Sequence, residues 1–355
     1  MKTRLITLPE KDLWNDFVAR SANASILQSF EWGEFKAQFG WQPLRILLED
    51  EGGPAAGISI LRREAPLIKH SFFYAPRGPI VHYAKKELLH DLLDRVEKEA
   101  DRYHAISLKI DPEIPEENTA ALDNLKALGF EKALKQVQPR ATFILDLKPE
   151  LDVILKSFEE KTRYNIRLAE KKGVSVKEDA SEAGISIFNE LYKETAKRDK
   201  FLVHPPVYYQ KMREIIFSAG LGSNFIAYYE GKPIGAVIIF AFGQKIWYMY
   251  GASASEYRNV MPNHLLHWAV IKWAKERGYQ EYDLWGIPAN PQAGHPLFGV
   301  YRFKKGFNGR LVKYIGAYDF PYSPLFFNLF EHGLVFWQNL RSLLTKGKIE
   351  DSLSE

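Results

Sequence analysis

Apolar and polar positions along the chain form two runs of elements in the same order. Residues 45–60, RILLEDEGGPAAGISI, read as a strand, an acidic-glycine turn and a second strand. Residues 224–239, NFIAYYEGKPIGAVII, repeat that order. Each hairpin continues into an aromatic strand, with Phe72, Phe73 and Tyr74 in the first run and Trp247, Tyr248, Met249 and Tyr250 in the second. Apolar residues at helical spacing follow in ELLHDLLDRVEKEADRY and HLLHWAVIKWAKERGY. Both helices carry Leu-Leu-His, at 88–90 and 265–267, an offset of 177 residues. Each leads into a short strand ending near a proline, AISLKIDP and YDLWGIP.

A period this long is a whole domain rather than a solenoid repeat. The pattern predicts an α/β protein of two tandem modules with mixed sheets (α+β in character). The first module is expected at 1–147, the second at 148–320, and a C-terminal amphipathic tail at 321–355. Residues 150–172 read as helical and stop at Gly173, a plausible C-cap, with further helices at 182–198 and 206–219. The order of helices, hairpin, strand, helix and strand fits an acyltransferase-like mixed sheet better than a Rossmann unit. Neither GxGxxG nor GxxxxGK(S/T) occurs, which argues against dinucleotide and P-loop chemistry.

Composition narrows the chemistry further. At 355 residues, 46% hydrophobic and 14% aromatic, the chain can fill two cores. Cysteine is absent, which removes disulfides, thiolate metal sites and cysteine nucleophiles. The nine histidines are scattered without HExxH spacing, and no GxSxG elbow occurs, so neither a metal nor a serine nucleophile is expected. A net charge of +4 is compatible with a polyanionic partner without requiring one. The N-terminus has no signal-like apolar run and no stretch is long enough to span a bilayer, so a cytoplasmic protein is expected.

Four segments in order resemble the Fem family (FemABX type) of peptidoglycan interpeptide-bridge aminoacyltransferases. They are LQSFEWGEFKAQFGW at 27–41, EKTRYNIRLAEKKGV at 160–174, IWYMYGASASEYRNVMPNHLLHWAVIKWA at 246–274 and GVYRFKKGFNGRLVKYIGAYD at 299–319. The resemblance implies two modules of the N-acetyltransferase (GNAT) type, which agrees with the internal repeat. It implies transfer of an amino acid from aminoacyl-tRNA to the side-chain amine of a precursor stem peptide. No heptad run is long enough for the coiled-coil arm of some members, so the chain resembles the armless, FemX-like subgroup. That subgroup takes UDP-MurNAc-pentapeptide; other members take a lipid-linked peptidoglycan precursor. A CoA-binding loop, Q/R-x-x-G-x-G/A, would precede the Leu-Leu-His helices. Those positions read RGPIVHYAKK and YRNVMPNH, which lack its glycines, so no CoA and no other cofactor is expected. A monomer is expected.

By resemblance, Lys304, directly after Phe303, supplies the cation for the developing oxyanion, and these two are the expected catalytic residues. The run Arg302, Lys304, Lys305 reads as strand-like, with 302 and 304 on one face toward phosphate or the tRNA terminus. A solvated charge run is the competing explanation. Phe303 is either core or a stacking surface for the terminal adenosine. Lys36 lies beside a stripe of Trp32, Phe35 and Phe39 and by resemblance contacts the acceptor's diphosphate; an exposed helix lysine is the alternative. Tyr208, four residues after His204, shares its helix face, with Pro205 and Pro206 suiting the first turn. Related enzymes place an arginine where His204 stands, and Arg198 is the candidate to compensate. Tyr250 resembles a tyrosine lining the acceptor site, set against a packed strand residue. Asp111 matches an acceptor-side position that would hold the incoming ammonium, set against turn chemistry before Pro112.

Arg163, Arg167 and Lys171 recur at helical spacing and suit a tRNA backbone, a solvated face being the alternative. The segment PLFFNLFEHGLVFWQNLRSLLTKGK, 324–348, reads as an amphipathic helix. It either makes peripheral contact with a membrane or, the favoured outcome, docks on the second module. Three rival functions stand beside the Fem reading. One is a CoA-dependent N-acyltransferase on another amine, another a non-catalytic scaffold with this fold. The third is transfer from the same donor onto protein N-termini.

Overall fold

The structure, a computed structural model, describes residues 1–65 and 68–330. The chain begins with β1 (Lys2–Leu5), α1 (Lys11–Arg20), α2 (Phe30–Ala37), β2 (Gln42–Asp50), β3 (Gly53–Glu64) and β4 (Ser71–Ala75). It continues with α3 (Lys86–Arg102), β5 (Ala105–Ile110), α4 (Thr119–Ala127), β6 (Glu131–Lys132) and β7 (Ala141–Asp146). Next come α5 (Leu151–Ser157), α6 (Glu160–Lys171), β8 (Ser175–Glu178), α7 (Glu182–Asp199) and α8 (Pro206–Met212). The last elements are β9 (Gly222–Tyr229), β10 (Lys232–Phe242), β11 (Lys245–Ser253), α9 (Pro262–Glu276), β12 (Glu281–Asp283), α10 (Phe298–Lys305), β13 (Arg310–Lys313) and β14 (Tyr318–Pro321).

The chain forms two units. One holds Met1–Arg140, Pro288–Asn290 and the chain from Lys313; the other holds Ala141–Ile287 and Pro291–Val312. Each has a seven-stranded mixed sheet. The first runs β1-β2-β3-β4-β5-β14-β6 and the second, read from its other edge, β8-β9-β10-β11-β12-β7-β13. Strand corresponds to strand: β4 and β5 pair in parallel, as do β11 and β12. β14 lies antiparallel to β5 as β7 does to β12. The repeat in the sequence is therefore a repeat of topology. The limits differ from those expected at 147 and 320, because β14 from the chain's far end completes the first sheet and β7 belongs to the second.

Local chemistry explains the hairpins. Glu230 and Gly231 both take left-handed backbone between β9 and β10, the two-residue turn whose twist suits a hairpin. Between β2 and β3, Asp50 accepts the Gly52 N–H at 2.8 Å. The helical stretch expected over 150–172 is two helices, broken at Phe158 and Glu159, which are extended. Phe158 turns inward there, its ring 5.2 Å from that of Phe307. Gly173, at φ 85°, follows the end of α6 as the sequence suggests.

In the first sheet β4 and β5 stay paired as far as Ala75 and Ile110. In the second, β11 pairs β12 only at Lys245, Ile246 and Trp247, then runs on to Ser253 paired with β10 but no longer with β12. The pairing of β10 with β11 also slips, from Ile238–Tyr250 to Ile239–Tyr248, leaving Met249 as an extra residue. β11 therefore parts from β12 along the segment bearing Tyr248 and Tyr250.

The start of the C-terminal segment corrects an expectation. Phe326 packs 4.4 Å from His70, and Phe330 5.4 Å from Phe72. Both partners belong to the first unit, His70 just before β4 and Phe72 on it, rather than to the second module. The segment beyond 330 lies outside the described residues, and with it the rest of the expected amphipathic helix. Among the described residues no helix is long and apolar enough to cross a membrane.

Candidate active site

Lys304 lies on α10, an eight-residue helix, not on the strand suggested by its alternating neighbours. Helical geometry turns Arg302 and Lys305 to solvent and Lys304 inward, so 302 and 304 do not share a face. Lys304 is 5% exposed. Its ammonium donates to the carbonyl oxygens of Gly286 at 2.8 Å and Trp285 at 3.3 Å, and lies 5.2 Å over the Tyr248 ring. Burial lowers its pKa to about 7, with Asp283 acting in the opposite direction. Phe303 packs among His264, His267 and Phe307, at 5.1, 5.3 and 5.4 Å between rings.

The carbonyl pair exists because β12 leaves its ladder with β7. Leu284 N–H reaches Phe143 O, and Ile287 N–H reaches Ala141 O. Between them Trp285 takes left-handed backbone at φ 58°. Asp283 faces Ile144 and Ile287 faces Ala141, so one strand holds one residue more than the other. In a regular strand successive carbonyls point opposite ways; the bulge lets both accept from one ammonium.

A tyrosine cluster occupies the same unit. Tyr250 contacts Tyr208 through a side-chain hydrogen bond, and its ring lies 5.5 Å from Tyr209 and 6.1 Å from Tyr192. His204 precedes α8 rather than lying within it, yet its exposed ring stacks 3.9 Å from Tyr208. Burial pushes Tyr208 and Tyr192 up to about 12, so these hydroxyls stay protonated donors at neutral pH. The Arg198 guanidinium donates to the Asp199 carboxylate at 2.9 and 3.0 Å and to Ser253 O at 2.8 Å. Those bonds direct it to its own helix end and β11.

In the first unit Asp111 is 1% exposed. It accepts from the Tyr74 hydroxyl at 2.7 Å and the Arg77 N–H at 2.6 Å. Burial raises its pKa to about 6, against the pull of Arg77 and Tyr74. Both carboxylate oxygens thus hold the turn after β4. Lys36, half-buried on α2, lies 5.5 Å over Trp32 and 5.9 Å over Phe35. Burial lowers its pKa first, and the nearby Arg63 charge second. Arg63 itself stacks 5.2 Å over Trp41, whose ring is 6.5 Å from Tyr74. Trp32 and Phe35 are buried as expected, while Phe39 falls just past the helix and is half-buried.

On α6, Arg163 folds back to the carbonyls of Phe158 and Lys156, closing the end of α5. Arg167 and Lys171 are exposed. The N-terminus of α9, where a nucleotide pyrophosphate would seat in a CoA enzyme, is poor in donors. Pro262 has no N–H, and the His264 N–H is spent on Met261 O.

Sequence reasoning missed Tyr248, Asp283, Thr142 and the Trp285–Gly286 carbonyls around Lys304, and Arg63 beside Lys36. The one visible signal was Tyr248 in the aromatic strand; the others depend on distant pairings.

The FemAB family model matches residues 10–219 and 220–332. Lipid II:glycine glycyltransferase of Staphylococcus aureus (strain MRSA252) is 28% identical over 427 aligned positions, covering 99% of each chain. The crystal structure of FemX superposes with a TM-score of 0.87 at 27% identity, covering 93% of this chain and 100% of that one. A tandem GNAT protein from the clavulanic acid biosynthesis pathway shares the fold at a TM-score of 0.55 and 12% identity, over 90% and 97% of the two chains. The expected pair of GNAT-like modules is present.

Proposed function

This chain belongs to the FemAB family as an acyltransferase of peptidoglycan bridge formation, and we propose that it moves an amino acid from aminoacyl-tRNA to the side-chain amine of a precursor stem peptide. The observation that carries this reading is the buried Lys304 ammonium, held by two carbonyls beside the parted strand β11. In the reaction the neutral acceptor amine attacks the ester carbonyl. Negative charge then develops on the carbonyl oxygen, where the Lys304 ammonium stabilises it. Collapse breaks the ester C–O bond, the ribose hydroxyl leaves with a proton, and an amide C–N bond remains. Phe303 packs beside the lysine and supports its placement.

Acceptor binding is assigned to Lys36 and Asp111 in the first unit and to His204, Tyr208 and Tyr250 in the second. The neighbouring cations Lys36 and Arg63 suit a diphosphate, which nucleotide-linked and lipid-linked precursors both carry. Relatives named for lipid II favour the lipid-linked form. Asp111 acts by fixing Tyr74, and Arg198 by fixing Ser253 and so the end of β11. Exposed Arg167, Lys171, Arg302 and Lys305 are assigned to tRNA phosphates, with Arg163 bracing the helix that bears two of them.

The test incubates the purified protein with mixed charged tRNAs and either UDP-MurNAc-pentapeptide or lipid-linked disaccharide pentapeptide, read by mass spectrometry. One acceptor should gain the mass of an amino acid residue. Acyl transfer from acetyl-CoA, with neither precursor modified by charged tRNA, would overturn the reading.

A further inference from the structure

Lys304 is unusual in how its charge is held, because its two hydrogen-bond acceptors are carbonyls displaced from a regular strand. Something must keep that bulge in place. Asp283, 1% exposed at the end of β12, accepts the Trp285 N–H at 2.7 Å. The Thr142 hydroxyl on β7 donates to the same carboxylate oxygen at 2.5 Å and lies 3.1 Å from the Trp285 carbonyl oxygen. That carbonyl is one of the two that receive Lys304.

We infer that Asp283, anchored by Thr142, is a positioning residue that sets both the geometry and the charge state of Lys304. The carboxylate fixes the left-handed turn at Trp285, and so aims the carbonyls of Trp285 and Gly286 at the ammonium. Its negative charge also offsets part of the desolvation that would otherwise strip the proton from a buried lysine. The other titratable groups around Lys304 cannot supply that charge. Tyr248 on β11 and Tyr282 on β12 are held protonated by burial. On α9, burial keeps His264 and His267 neutral, at about 4 and about 3. Lys161 on α6 faces His264 and adds only positive charge. This inference rests on the aminoacyl-transfer reading for its catalytic meaning, but its physical content does not require a substrate.

The experiment follows the Lys304 Nζ resonance in the whole protein labelled with [15N]lysine, assigned by its loss in Lys304→Met, and titrates it with pH. In parallel, transfer from charged tRNA is measured across pH. Asp283→Asn should lower the Nζ midpoint by on the order of one pH unit, and the alkaline limb of the transfer profile should move with it. Thr142→Val, which frees the carboxylate from its anchor, should lower the midpoint by less, and Thr142→Ser should restore it. An unchanged midpoint in folded Asp283→Asn and Thr142→Val overturns the inference. If Asp283→Asn does not fold, the Thr142 pair decides on the same criterion. Midpoints that move as expected in a protein that transfers nothing would leave the inference standing and sink the aminoacyl-transfer reading. Active protein with fixed midpoints would do the reverse.

Discussion

In the first unit β4 and β5 end together, and the turn beyond them is tied down by Asp111 through Tyr74 and Arg77. In the second unit β12 stops short, β11 continues with β10 as its one strand partner, and a buried lysine sits where the β11–β12 pairing has been given up. The strand order is the same, yet one corner is closed by an anion and the other opened around a cation. Both charges are buried, and both carry a pKa displaced toward the neutral form. The difference lies in what surrounds them. Asp111 receives donors on both oxygens and stabilises a turn. Lys304 is offered carbonyl dipoles and an aromatic face, which hold a cation without neutralising it. A group held that way is available to a developing negative charge, while a fully bonded carboxylate is committed to structure.

Exchanging each charge for a neutral side chain breaks the comparison most directly. Lys304→Met should reduce transfer by roughly 10²–10³-fold, the loss typical of one oxyanion donor, with melting near neutral pH little changed. Asp111→Asn should leave more activity and lose more stability. The pH dependence of melting should also differ in sign. Asp111 has a folded pKa raised from 3.8 to about 6. Its contribution to stability is present below the unfolded value and is lost as pH rises toward 6. Lys304 has a folded pKa lowered from 10.5 to about 7. Its contribution is present above the unfolded value and is lost as pH falls toward 7. Each tenfold difference in proton affinity corresponds to roughly 1.4 kcal/mol. Asp111→Asn should therefore flatten the melting curve between pH 4 and 6, and Lys304→Met between pH 7 and 10. Scanning calorimetry across pH checks both; slopes of the same sign would dissolve the contrast.

A smaller effect is expected from the strand itself. A Cβ at Gly251 would fall on the Tyr248 hydroxyl, which lies back along β11. Gly251→Ala must move that tyrosine, at an overpacking cost of roughly 1–3 kcal/mol, and with it the ring beneath Lys304. Transfer should fall to a level between wild type and Lys304→Met. Full activity in this variant would show that the ring contact is packing only. β4, the corresponding strand of the first unit, contains no glycine.

How far the sequence discloses this follows from the range of each interaction. The hairpins, aromatic strands and Leu-Leu-His helices are local patterns, and they occur in both units near the expected positions. β14 has four residues and no local mark; its place in the first sheet depends on Ile110, Lys109, Leu108 and Ser107, all more than 200 positions away. Lys304 stands out in the sequence as a candidate, but its neighbours read as a strand, because Tyr-Arg-Phe-Lys alternates as a strand would, whereas the structure places it on α10. Packing against the histidines of α9 overrides that pattern. The carbonyl clamp was invisible, since it depends on Trp285 adopting a conformation that propensity disfavours. The basic stripe on α6 was legible as spacing, but not that one member would turn back to the chain.

That last distinction gives the mildest prediction. Arg163, Arg167 and Lys171 share a helix face, so spacing alone gives them one role. The structure separates them: Arg163 donates to two carbonyls at the end of α5, whereas Arg167 and Lys171 are exposed. An exposed cation that meets RNA phosphate releases about one counterion when it binds. Arg167→Ala and Lys171→Ala should each raise the KM for charged tRNA modestly. Each should also reduce the salt slope of binding by about one, with melting unchanged. Arg163→Ala should lower the melting temperature instead, because carbonyls at a helix end lose their donor, and should leave the salt slope closer to wild type. Equal salt slopes in all three variants would mean that Arg163 leaves its carbonyls when RNA binds, and that the stripe works as a unit after all.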